Sequence, residues 1–200
     1  GGTFQPLDQL NASSTISITA GVLTPNGNNI FIDDAWSNSS TFTAGTSTVS
    51  FTTSTAVTVN ITAGGSPFNS LTFNDSGGGA IFELQDQLQA SSTITITAGT
   101  LDANGQTILA DANFTVTDTF SHSSGVLNFA SSTATSILTA STSPVYDLTH
   151  SGAGILTLSD AVTIANDLTN SAGTLDIDGL TTITGDITNS ATITEDGSYI

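Results

Sequence analysis

DQLQASSTITITAGTLDANGQTI, residues 86–108, restates at a fixed offset of 78 what the chain has already written over residues 8–30 as DQLNASSTISITAGVLTPNGNNI. A fragment, SAGTLD, returns at 171–176. Self-similarity at a fixed period is the mark of a repeat architecture and outranks any single-residue motif. Working outward, Trp36 maps onto Phe114 and Phe51 onto Phe129 at an offset of 78, and Ser66, Pro67, Leu71 and Thr72 map onto Ser143, Pro144, Leu148 and Thr149 at 77. The chain therefore reads as one continuous repeat domain over residues 1–200, with copy one at 1–76, copy two at 77–152 and a partial copy three at 153–200.

Within the repeat the strands alternate with period two. Thr15–Thr19 and Thr93–Thr97 interleave Ile with Ser or Thr, so Ile16, Ile18, Ile94 and Ile96 face a core and the hydroxyls face out. Gly-containing pairs recur about every 20 residues and supply turns. Such spacing points to an all-β fold, a right-handed parallel β-helix (β-solenoid) of stacked coils. Coils of about 20 to 25 residues make the 78-residue unit three or four coils long. Tandem small β-sandwiches would show the same alternation. The solenoid is favoured, because a third copy of under fifty residues is short for a sandwich whereas a solenoid can stop after any coil. The two copies of the DQL stretch are expected to occupy equivalent coils three or four rungs apart; outward Thr-x-Thr rows, if stacked at the strand spacing, would make a flat hydroxyl array, although the threonines are spread across many strands.

Composition narrows the function. Thr and Ser make up about a third of the chain, and Lys, Arg, Cys and Met are absent. The formal charge is −17. Phosphate binding relies on cationic side chains, so no nucleic acid and no anionic membrane are expected as partners. Divalent cations suit such a surface. The D-x-D-G at Asp176, Asp178 and Gly179 resembles the opening of a Ca²⁺ loop without its remaining ligands, which leaves Asp176 and Asp178 as the metal candidates and Ca²⁺ as the one cofactor to consider. Asp33, Asp34 and Asp111 are read as solvated turn residues. Sequons at Asn11, Asn38, Asn60, Asn74 and Asn113 are candidate glycosylation sites. The two histidines have no metal-binding pattern around them, and His150 takes the place of Phe73 of copy one, a packing position. No nucleophile constellation stands out from the repeated serines, so no enzyme is expected. A chain without Met reads as a processed or partial product.

The run DAWSNSSTFTAGTSTVSF (34–51), followed by ITAGGSPFNSLTF (61–73) and TITITAGTLDANGQTI (93–108), resembles the Thr/Ser/Gly-rich repeats of very large bacterial surface and secreted β-helical, adhesin-like proteins. That resemblance covers nearly the whole chain. It implies an extracellular, cell-surface structural protein: a repeat subunit of a filament, sheath or adhesin stalk, self-associating head to tail as a homopolymer through the solenoid ends. The alternative expectation is a binding module, either a ligand-binding adhesin segment or an ice-binding solenoid.

Overall fold

The computed structural model describes residues 1–195. Every regular element in that span is a short strand and every pairing is parallel. One sheet runs the length of the molecule with ten strands, one from each coil. Over the described residues the chain is a β-solenoid of about ten turns, and the sandwich alternative falls away.

Each coil has three sides. The first face is the ten-stranded sheet from Leu10–Ala12 to Thr192–Glu195. The second carries the six-stranded sheet from Ile16–Ile18 to Thr119–Ser121, then Val145 bridging to the pair Val162–Ile164 and Thr181–Ile183. The third begins with Thr3–Phe4, Val22–Leu23 and Thr41–Phe42. It passes through Phe68 bridging to Ala90, and continues as the six strands from Leu88–Ala90 to Ile187–Asn189. Register along the first face advances by 18 to 24 residues per coil, as in Ile177↔Glu195 and Phe114↔Leu138.

Alternation does the rest. Inward positions fill a continuous core in which Ile30, Phe51, Leu71, Phe82, Ile94, Phe114 and Leu148 are all fully buried. Successive rungs stack like on like: Leu10↔Ile30↔Val49↔Leu71↔Ile94↔Phe114 is one apolar ladder on the first face. Burial on this scale, at about 25 cal/mol per Å² of apolar surface, is what holds a chain that has no disulfide and no cationic side chain to pair.

The repeat and the coil are out of step. From Leu10–Ala12 to Leu88–Ala90, its counterpart at offset 78, the chain takes ten strands plus the lone bridge at Phe68. That is eleven sides, or 3⅔ coils. The copies are indeed three to four rungs apart, but each is turned by one face. Ile16–Ile18 lies on the second face and its counterpart Ile94–Ala98 on the first; Val22–Leu23 lies on the third and Thr100–Asp102 on the second. Thr15, Ser17 and Thr19 therefore do not stack with Thr93, Thr95 and Thr97.

Inward positions tolerate the turn because most are apolar whichever face receives them, Asn38 and His150 being exceptions. Trp36 packs edge-on to Phe42 (centroids 4.8 Å, 76°) on the second face, and its counterpart Phe114 packs the same way on Phe120 (5.2 Å, 75°) from the first. The Trp36 Nε1–H is buried without a partner. A buried unpaired donor costs about 1–3 kcal/mol, close to what the lost volume of a Trp→Phe change costs. Trp36→Phe is expected to leave stability within about 1 kcal/mol of wild type in urea melts.

Candidate functional surface

With no Lys or Arg to pair with, several carboxylates are satisfied by backbone amides. Asp86 accepts from the amides of Ala63 and Gly64, both at 2.7 Å, at a corner of the coil before its own. The repeat reproduces the cap: Asp160 accepts from Ala140 (3.0 Å) and Ser141 (2.7 Å). Gly64 needs its φ of +62°, and a Cβ there would run into the Asn38 carbonyl. Copy two places Ser141 in the same left-handed region at φ 54°. Asp75, buried at 3 % exposure, accepts from Gly77 and Ala80, and Asp118 accepts from Gly99. Ser66 Oγ accepts from Phe42 N as Ser143 Oγ accepts from Phe120 N. The caps made by Asp86, Asp160, Ser66 and Ser143 were legible only as repeated Asp and Ser-Pro positions, because their partners lie about a coil away.

The metal candidates do not converge. Asp176 accepts from Thr194 Oγ1 at 2.8 Å, one rung on, and Asp178 is exposed at the following corner. No group of three or more metal-capable side chains occurs among the described residues. Asp33 and Asp34 accept from Thr52 and Thr15 respectively, and Asp111 lies 3.5 Å from Gln89 Nε2.

Of the sequons, Asn11 and Asn60 are exposed. Asn74 and Asn113 are half-buried, and Asn113 Oδ1 accepts from Ile137 N. Asn38 is buried, with Nδ2 donating to Ala63 O; a glycan there requires that corner to open.

His150 is buried on the inner side of the third face, between Phe129 and Asn170. Asn170 Nδ2 donates to Asn189 Oδ1 and to Thr192 O, so its Oδ1 faces the ring and His150 Nδ1–H donates to it at 3.0 Å. Burial pushes the ring below its ordinary value of 6.5, with the Asn170 bond opposing in part. Below 6.5 the unfolded chain then binds the proton that the folded chain refuses, so stability falls as pH drops through that value and recovers above it. His150→Phe, the copy-one residue, is expected to flatten thermal stability between about pH 5 and 7, the range in which a histidine of ordinary pKa gains its proton.

Open apolar surface concentrates at the two ends. At the N-terminal coil an opening of about 440 Å³ is lined by Phe4, Leu10, Ile16, Ile18, Val22 and Leu23. At the other end Leu180, Ile187 and Ile193 are 66 %, 58 % and 37 % exposed. No helix of the described residues is long and apolar enough to cross a membrane. No protein-family model, curated protein or solved structure matches the chain.

Proposed function

We propose that this chain is an extracellular structural segment of a surface filament, sheath or adhesin-like stalk, extended head to tail by further copies of itself and performing no catalysis. The observation that carries this reading is the unbroken ladder of parallel strands that runs the length of the described residues. Among the described residues the first and last coils expose apolar rungs and strand edges with no strand beyond them, and a free strand edge is a template for another. Because all pairings run parallel, the edge at one end has the polarity to continue the edge at the other. The resemblance of the repeat to adhesin-like surface proteins supports the extracellular setting.

Two copies of charge −17 repel each other, so end-to-end joining should strengthen with ionic strength or Ca²⁺. Electron microscopy of the purified chain at high concentration, with and without Ca²⁺, is expected to show filaments one solenoid wide. Dispersed monomers under every condition count against the proposal, as do filaments that persist when Leu180 and Ile187 are both changed to Lys.

A further inference from the structure

We infer that the middle of the first face is a binding surface for the ordered water lattice of ice. Four successive strands there, Thr48–Phe51, Ser70–Asn74, Ile94–Ala98 and Phe114–Val116, stand in parallel register. With the residues flanking them they present three outward ranks. The first is Thr48, Ser70, Thr93 and Asn113, and the second is Ser50, Thr72, Thr95 and Thr115, of which Ser50 points outward but is covered by its neighbours to 8 % exposure. The third is Thr52, Asn74, Thr97 and Thr117, offset where the register shifts after Phe73. In a chain of charge −17, none of these twelve positions is charged. At the margin Asp33 accepts from Thr52 Oγ1 at 2.8 Å.

The turn of the repeat provides an internal control. Each of the twelve has a counterpart at an offset of 77 or 78 that the 3⅔-coil step places on another face. Thr48, Ser50, Thr52, Ser70, Thr72 and Asn74 correspond to Val126, Asn128, Ala130, Asp147, Thr149 and Ser151 on the third face. Thr93, Thr95, Thr97, Asn113, Thr115 and Thr117 correspond to Thr15, Ser17, Thr19, Ala35, Ser37 and Ser39 on the second. Eight of the twelve are Thr on the first face, against three among the counterparts. Strand preference is the same for both sets, so it does not explain the difference; the face does. Duplication alone would have spread the threonines evenly around the solenoid.

Thr differs from Ser by a methyl group that stiffens χ1. A rank of threonines therefore holds its hydroxyls at fixed points and shields them with apolar caps. The grid repeats at about 4.8 Å between coils and about 6.6 Å between ranks, both close to oxygen spacings in ice. An uncharged, rigid, two-dimensional hydroxyl lattice anchors solid water better than it does any flexible solute, whose ordering would cost conformational entropy.

The test uses the full chain in freezing-hysteresis and ice-growth assays, with Thr72→Lys and Thr95→Lys on the face and Thr149→Lys, the counterpart of Thr72, as control. Circular dichroism verifies the fold of each variant. The wild type and Thr149→Lys are expected to depress the freezing point below the melting point and to be taken into growing ice, while the first-face variants behave as buffer. A wild type excluded from ice overturns the inference whatever the variants do. So does equal loss in Thr149→Lys, or retention on crystalline cellulose with no effect on ice, which would reassign the face to a polysaccharide surface.

Discussion

Phe82→Ala is expected to destabilise the solenoid by about 3–5 kcal/mol, the range for removing a fully buried phenyl from a core that cannot collapse around the gap. Phe82 is fully buried on the second face, with its ring centroid 5.2 Å from Phe73 and 6.0 Å from Phe51. Phe51 and Phe73 themselves stack at 5.4 Å across neighbouring rungs of the first face. Two sides and two coils meet at this trio, so a gap there is walled by hydrogen-bonded strands that have nowhere to move. Gly99 already sits so close that a Cβ on it would lie 3.1 Å from Phe82 Cε2.

In a stacked array each coil contacts only its neighbours, so the loss is local. Hydrogen exchange should accelerate over the coils around Phe51, Phe73 and Phe82, with those beyond Phe129 little changed. One repeat further along, the equivalent positions are Phe129, His150 and Leu156, and the core there lacks this ring cluster. Denaturant unfolding followed by far-ultraviolet dichroism measures the effect. A loss below about 1 kcal/mol would mean the site relaxes and that the rungs are not rigidly coupled.

The inward Ile, Leu and Phe positions, the glycine corners and the length of a coil were all legible in the sequence, because each follows from period two and turn chemistry within a few residues. The face on which a strand lies was not. It depends on counting sides, and one side of copy one is nearly invisible: Ser66-Pro67-Phe68 contributes a single bridging residue where other sides have a strand. Missing it makes eleven sides look like ten. The threonine surface stayed hidden for the same reason, since Thr-x-Thr triplets are scattered along the chain and only the coil register gathers them. Likewise the His150–Asn170–Asn189 ladder joins residues about a coil apart, each of which reads on its own as an ordinary strand or turn residue.

Excision of one repeat puts the eleven-sided step to the test. Removing Gln9–Asp86, 78 residues, joins Asp8 to Gln87 and leaves the sequence across the junction almost unchanged. Every later side then moves back eleven places and lands one face round. It meets rungs of its own kind, as Phe114 meets Phe120 where Trp36 meets Phe42. The shortened chain is expected to fold as a solenoid lacking 3⅔ coils, about 17 to 18 Å shorter at a strand spacing near 4.8 Å, and to keep its far-ultraviolet spectrum. The Phe51–Phe73–Phe82 cluster leaves with the excised copy, so its midpoint in denaturant should fall. Small-angle scattering reads the length directly. An unfolded product would show that the three faces are not interchangeable for inward residues, and that the turn of the repeat is a constraint the core only just accommodates. A folded product that has also lost any affinity for ice would follow from the same geometry. The deletion removes Thr48, Thr52 and Thr72 outright and carries Thr93–Thr97 and Thr115–Thr117 round to the second face, where their counterparts Thr15–Thr19 and Ser37–Ser39 stood.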